Sequence, residues 1–88
     1  MTERAEKLLD TFNTKLNTIL FLYEQGVCGF DESKSRMEEE WKNFDKCLYL
    51  ALCYGLIDAN EFLSLTDTTI FNTYFRKVEV LIEKHYNK

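Results

Sequence analysis

The most reactive side chains of this 88-residue chain are three cysteines and a single histidine. They are Cys28, Cys47, Cys53 and His85. No two of them have the short spacing that is typical of a zinc knuckle. Cys47 and Cys53 lie on one predicted helix at a separation that turns them to different sides. We therefore predict no metal site and no cofactor, with the cysteines serving as small core residues.

His85 is the only histidine and the only obvious candidate for a catalytic base. It continues the apolar stripe of the predicted last helix, which indicates a half-buried residue near the helix end. No serine, cysteine or carboxylate has a spacing in the sequence that would make it a partner of His85. The sequence therefore predicts no catalytic residue and a protein that is not an enzyme.

Residues 55–62 resemble the second half of the calcium-binding loop of the EF-hand family, with Gly, Asp and Glu at matching positions. The resemblance implies that Asp58 and Glu61 would be calcium ligands. The three earlier positions that would also have to supply oxygen ligands are occupied by Leu50, Leu52 and Tyr54. Because these side chains cannot coordinate calcium as carboxylates do, we predict no calcium site. Asp58 and Glu61 are instead expected to cap a helix.

The elements that position these residues are predicted to be helices. Residues 3–24 carry apolar side chains with steps of three and four, over about six turns. Thr2 is the expected N-cap and Gly26 the expected stop signal. The apolar stripe consists of Ala5, Leu8, Leu9, Phe12, Leu16, Ile19, Leu20 and Tyr23.

A second helix is predicted over residues 32–54, ending at Gly55. Asp31, Ser33 and Ser35 are alternative N-caps, so the start is open by about one turn. Glu38 and Lys42 have the spacing of an ion pair along the helix. The apolar stripe consists of Met37, Trp41, Phe44, Leu48 and Ala51.

A short helix is predicted over residues 58–65, with Ile57 and Phe62 forming a hydrophobic staple. A second staple around Thr66 is predicted to start the last helix, over residues 67–86. Basic residues, Lys88 among them, fit its C-terminal end. The predicted apolar face consists of Ile70, Phe71, Tyr74, Phe75, Val78, Leu81, Ile82 and His85.

These elements predict the all-α fold class, as an antiparallel three-helix bundle with an extra short helix near residues 58–65. The absence of proline and the presence of only three glycines suit a few long helices joined by short turns. Hydrophobic residues make up 45% of the chain, which is enough for a core. We expect residues 1–88 to form a single domain.

The net charge of −4 argues against direct binding to nucleic acid, which requires a basic face. The first residues are charged and lack a signal-peptide core. Residues 47–57 are uncharged but too few to span a bilayer. An odd number of cysteines fits a reducing compartment. We therefore expect a cytoplasmic protein that does not bind membranes.

Several apolar residues fall outside the stripes that would face the bundle core. We expect them to lie toward helix ends that the fold brings into partial register. Contiguous exposed hydrophobic residues, with tyrosines among them, are typical of protein interfaces. Alternatively, the segment 58–65 folds back over the end of the second helix and covers them. The residues are Phe21, Tyr49, Leu50, Cys53, Tyr54 and Val80.

The sequence thus favours a small non-catalytic protein that acts through protein–protein contact, as a self-associating adaptor or regulator. A homodimer is the default, because two-fold dimers are the commonest homo-oligomers. The alternative is an acidic inhibitor, from a mobile element, that blocks a basic site on a larger enzyme or nucleic-acid-binding protein. Its acidic docking face would consist of Glu32, Glu38, Glu39 and Asp45.

Overall fold

In the computed structural model of this chain, residues 3–87 are described, apart from the side chain of Thr68. They form four α-helices and one π-helical turn, and no strand occurs in this range. The elements are α1 (Glu3–Glu24), α2 (Phe30–Cys53), α3 (Ala59–Ser64), the π turn (Leu65–Thr69) and α4 (Ile70–Tyr86). The predicted all-α bundle with an extra short helix is confirmed. Thr2 and Lys88, with the roles predicted for them, lie outside the described residues.

The three long helices pack side by side into a bundle about 44 Å long. Phe12 of α1 stacks on Phe44 of α2, with the ring centroids 4.6 Å apart. Trp41 of α2 stacks on Tyr74 of α4, with the centroids 4.7 Å apart. Helix α2 therefore contacts both neighbours, and the short connections give the predicted up-down-up arrangement.

The buried apolar residues of α1 and α2 lie on the predicted apolar stripes. Phe12 and Leu16 on α1 and Met37 and Leu48 on α2 are almost completely buried. The remaining predicted residues of α1 are buried or pack against the same cluster. Helix α1 is rich in Thr and Asn, which favour helix only weakly. Its stability therefore comes from packing its apolar stripe against α2.

Helices α1 and α2 both end in a Schellman motif with a glycine in the left-handed conformation. Gly26 has φ +76° and Gly55 has φ +72°. The next residue in each case donates its N–H to the carbonyl five residues earlier, from Val27 to Leu22 O and from Leu56 to Ala51 O. The predicted stop signals are therefore confirmed.

The start of α2 differs from the prediction. The N-cap residue is Gly29 and the helix begins at Phe30, two residues before the expected position. None of the three predicted caps has this role: Asp31 lies in the first turn, and Ser33 donates its N–H to Gly29 O. The extended backbone of Gly29 fits an N-cap without a side-chain hydrogen bond.

Helix α3 begins with the predicted capping box. Glu61 N–H donates to Asp58 Oδ1 at 2.8 Å, and Asp58 N–H donates to Glu61 Oε1 at 3.3 Å. Ile57 is buried and Phe62 packs against the core, so both predicted staple residues pack inward. The two carboxylates are therefore engaged in capping.

The predicted break between α3 and α4 is wrong. The backbone stays helical through Leu65 and Thr69, and Ile70 N–H donates to Leu65 O across five residues. Thr66 does not cap a new helix, because its hydroxyl donates to Phe62 O one turn earlier. Residues 59–86 are therefore one continuous helical segment containing a π turn.

Candidate functional site

The C-terminal end of α2 carries a surface of exposed apolar residues. We call it the outer α2 surface and define it as Tyr49, Leu50, Cys53, Tyr54 and Leu56. Leu50 is 53% exposed and Tyr54 is 78% exposed. Leu48 and Ala51, on the opposite side of the same turns, are buried as predicted.

The segment after α2 does not cover this surface. Phe62 of α3 contacts Tyr49 edge-to-face, with the ring centroids 6.3 Å apart, yet Tyr49 remains 62% exposed. The residues of this segment that become buried are Ile57 and Leu65, which pack into the core. Leu50, Cys53 and Tyr54 are thus exposed within this chain, and the alternative that residues 58–65 cover them is wrong.

Phe21 is exposed but lies far from the outer α2 surface. Arg4, at the start of α1, donates from Nη1 to Leu56 O at 3.3 Å, which places that end of α1 beside the end of α2. Phe21 lies 17 residues further along α1, and a helix rises about 1.5 Å per residue. Phe21 and Tyr54 are therefore at opposite ends of the bundle and do not belong to one surface.

Val80 also lies outside the outer α2 surface. It is half-buried and packs against the hydrophobic core, so its predicted place outside the core stripe of α4 is wrong. Conversely, Phe71 and Phe75 were assigned to the core face and are 48% and 47% exposed. The buried face of α4 is therefore rotated relative to the predicted one.

The π turn sets which face of α4 is buried relative to Leu65. Leu65 and Ile70 are both buried although they are five residues apart. A regular α-helix starting from Leu65 would place Asn72 and Arg76 toward the core. The additional residue in the turn shifts the phase by about 100° and brings Ile70 and Leu81 inward instead. The five-residue spacing of Leu65 and Ile70 is visible in the sequence, but it indicates the shift only once Leu65 is known to be buried.

Because of this rotation, α2 and α4 form an aromatic groove between them. We call it the α2–α4 groove. Phe71 lies edge-to-face with Trp41, with the centroids 6.2 Å apart, and stacks on Phe75 at 5.6 Å. A cavity of about 290 Å³ opens here. It is lined by Trp41, Lys42, Asp45, Thr66, Ile70 and Phe71.

The four predicted acidic residues do not form one face. Glu38 lies near enough to Tyr74 of α4 to raise the pKa of its phenol, and Asp45 lines the α2–α4 groove. Glu39 lies on the other flank of α2, in a shallow hollow that Ile19 of α1 also lines. The predicted acidic docking face is thus split between two sides of α2.

Two of the four acidic side chains are paired along α2. Arg36 donates to Glu32 at 3.0 Å, and Lys42 lies 3.5 Å from Glu38, as predicted for that pair. No ion pair is found for Glu39 or Asp45 within residues 3–87. Glu39 and Asp45 are therefore the two predicted acidic residues whose charge is not offset by an ion pair in that range.

The titratable and thiol groups are distributed along the bundle. Cys28 is buried, but Cys47 and Cys53 are exposed. The predicted core role is therefore wrong for these two, and for Cys53 the exposure agrees instead with its predicted place on the apolar surface. His85 is half-buried as predicted, and its ring stacks on Phe30 at 4.0 Å. Across residues 3–87, no three His, Cys, Asp or Glu side chains are arranged so that they could hold a metal ion.

Tyr74 lies in an environment that changes the pKa of its phenol. Burial raises the pKa of the Tyr74 phenol above its ordinary value, and the nearby Glu38 carboxylate raises it further. Tyr74 also stacks on Trp41 at the wall of the α2–α4 groove. Its neutral ring is therefore favoured beside the groove.

Comparisons with protein-family models, with curated proteins and with solved structures give no match to this chain. Among the described helices, none combines the length and the apolar composition needed to cross a bilayer. The two candidate binding surfaces of the described residues are the outer α2 surface and the α2–α4 groove.

Proposed function

We propose that this protein is a small non-catalytic adaptor or regulator that acts through protein–protein contact and self-associates through the outer α2 surface. The observation that carries this proposal is the exposure of Leu50 and Tyr54 next to other apolar residues. Scattered exposed hydrophobic residues are normal, but a contiguous group is typical of an interface.

A second copy of the chain is the partner that this surface favours. Residues 47–57 contain no charged side chain, so two copies meeting here would not bring like charges together. Burial of a large apolar side chain contributes about 1.5–3 kcal/mol. The four larger apolar residues of the surface would therefore contribute several kcal/mol, which offsets part of the cost of association.

A non-catalytic role is supported by the contacts of His85, Asp58 and Glu61, the candidate reactive groups. The His85 ring stacks on Phe30, and its Nδ1 lies 3.2 Å from the Tyr23 hydroxyl. Asp58 and Glu61 cap α3. These contacts give each group a role in packing or capping.

We also infer a reducing compartment such as the cytoplasm, since two free thiols, Cys47 and Cys53, are exposed on α2. The alternative of an acidic inhibitor receives less support. Glu38 and Asp45 face α4 while Glu39 lies on the α1 flank, so a basic site would meet only part of the predicted acidic face.

Light scattering coupled to size exclusion tests self-association. We expect a dimer of twice the 10.5 kDa chain mass at micromolar concentration and a monomer for Tyr54→Glu with unchanged helix content. Phe75→Glu, in the α2–α4 groove, is the matched control and should leave the dimer intact. The dimer should also survive moderate salt, because apolar contacts are not screened. A strictly monomeric wild-type protein, or a dimer unaffected by Tyr54→Glu, would contradict the proposal.

A further inference from the structure

We propose that the α2–α4 groove binds an amphipathic helix of another protein, one that has an apolar seam flanked by lysine or arginine residues. This site is separate from the outer α2 surface and would give a self-associating protein a place for a different partner.

The shape of the groove favours a helix as the occupant. One flank of α4 carries apolar residues with the alternating three- and four-residue steps of a helical seam, at Phe71, Phe75, Val78 and Ile82. Val78 also packs against the hydrophobic core. The two phenylalanines are about half-exposed, and the other two residues are half-buried. A seam of this periodicity matches the apolar face of a second helix lying along it.

The cavity beside the seam provides a place for an anchoring side chain. Its volume of about 290 Å³ lies at the small end of ligand pockets, which suits one large apolar side chain. Trp41, Phe71 and Ile70 give it an aromatic and aliphatic lining. Central pockets of this kind are where binding energy concentrates in helix-in-groove complexes.

The rim of the groove is acidic on both walls. Asp45 of α2 lines the cavity, and Glu79 lies one turn beyond Phe75 on α4. Neither carboxylate has an ion pair within residues 3–87. The one lysine that lines the cavity, Lys42, is already paired with Glu38. A helix with basic flanks would therefore complement this rim.

The same charges argue against a second copy of this chain as the occupant. A symmetric contact through the groove would bring the carboxylates of one rim close to those of the other. Like charges placed together weaken an interface. The outer α2 surface is uncharged, so two copies can meet there without like-charge repulsion. The outer α2 surface therefore suits a second copy of the chain, and the groove suits a different protein.

Two threonine side chains stabilise the groove by donating hydrogen bonds to backbone carbonyls. The Thr66 hydroxyl, at the edge of the cavity, donates to Phe62 O at 2.8 Å. The Thr69 hydroxyl donates to Ser64 O at 3.0 Å across the π turn. These bonds stabilise the turn that directs Phe71 and Phe75 outward.

Trp41 is the single tryptophan of the chain, so its emission reports directly on the groove. The test is a fluorescence titration of the full chain with two synthetic tryptophan-free helical peptides. Both have the same leucine and phenylalanine seam, and the flanking positions are lysine in one and glutamate in the other. We expect the lysine peptide to change Trp41 emission saturably and to bind about tenfold more tightly than the glutamate peptide.

Three variants locate the binding. Phe75→Glu should weaken the lysine peptide about tenfold or more. The double change Asp45→Lys with Glu79→Lys should remove or reverse the preference between the peptides. Tyr54→Glu, on the outer α2 surface, should leave the titration unchanged. Each variant is first checked for helix content by circular dichroism.

The proposal is overturned if the lysine peptide gives no saturable change up to about 1 mM, the range of the weakest specific contacts. Equal binding of the two peptides, or insensitivity to both groove variants, would also contradict it. A change in Trp41 emission with the protein's own concentration that Phe75→Glu removes would show that a second copy occupies the groove. That result would overturn this proposal without affecting the test of the outer α2 surface.

Discussion

Leu65 and Ile70 are five residues apart, yet both are buried on the same side of one continuous helical segment. The Ile70 N–H donates to Leu65 O, which closes a π turn between them. This one relationship decides which face of α4 enters the core. It also leaves Phe71 and Phe75 beside Trp41, where they form the α2–α4 groove.

Deletion of Asp67 should convert the π turn into an ordinary α turn. Leu65 and Ile70 would then be four residues apart and would remain on one face. Asp67 is exposed, so little packing is lost. We expect the variant to keep its helix content and its cooperative unfolding, with a free energy of unfolding within about 1 kcal/mol of wild type. Circular dichroism and urea unfolding measure both quantities.

Deletion of Asn72 is the matched control for this prediction. Asn72 is also exposed, but it follows Ile70 within the regular part of α4. Its removal rotates Leu81 by about 100° relative to Ile70 and takes it out of the core. We expect a loss of about 3 kcal/mol or more. Similar losses for the two deletions would show that the π turn does not set the phase of α4.

Ser33→Ala should stabilise the protein. Ser33 is completely buried on α2, and its hydroxyl oxygen has no hydrogen-bond partner among residues 3–87. The substitution removes an unsatisfied polar group and introduces a better helix former. We expect the free energy of unfolding to rise by about 1–2 kcal/mol in urea titrations. Ser35→Ala, at an exposed position of the same helix, should change it by only a few tenths. Equal effects at the two positions would exclude the buried hydroxyl as the cause.

Asp58→Ala should destabilise the whole segment that begins at Ala59. Asp58 accepts a hydrogen bond from the Glu61 N–H at the start of this segment. Without the Asp58 carboxylate the first turn is uncapped. Such losses cost about 1 kcal/mol. We expect a lower melting temperature by circular dichroism. Asp58→Asn retains a capping oxygen and should stay close to wild type, whereas an equal loss for both variants would point away from capping.

Tyr74→Phe should reduce the loss of stability at alkaline pH. The pKa of Tyr74 is raised in the folded protein, so the folded state keeps its phenolic proton at a pH where the unfolded state releases it. Stability is therefore fully present below the ordinary pKa of about 10 and falls as the pH rises through the folded value.

The measurement for Tyr74 compares urea unfolding at neutral pH and just above pH 10, the ordinary value. We expect the decrease between the two conditions to be smaller in Tyr74→Phe than in wild type. Glu38→Gln removes the second cause of the raised pKa and should give an intermediate decrease. A decrease in Tyr74→Phe as large as that of wild type would contradict the assignment.

The first two helices were predictable because their sequence signals are local. Apolar residues three and four apart require one buried face, and Gly26 and Gly55 adopt the left-handed conformation that ends a helix. The capping box at Asp58 and Glu61 was also visible, because both partners lie within four residues. Such signals depend on the chain alone and hold in any tertiary arrangement.

The face of α4 was not predictable from the same reasoning. Ile70 and Leu81 define one apolar stripe, and Phe71, Phe75 and Ile82 define another beside it. Both have helical periodicity, so the pattern does not decide which one is buried. The choice follows from Leu65, which is anchored in the core and fixes the phase through the π turn.

For the candidate surfaces, the sequence by itself determined that the end of α2 carries more apolar side chains than one buried face requires. It also determined the helical bundle, because the apolar spacing admits no other element. Only the tertiary structure decided that Leu50 and Tyr54 stay uncovered and that the α2–α4 groove exists. The physical reason is that exposure depends on how helices are rotated and paired in space, which local periodicity does not specify.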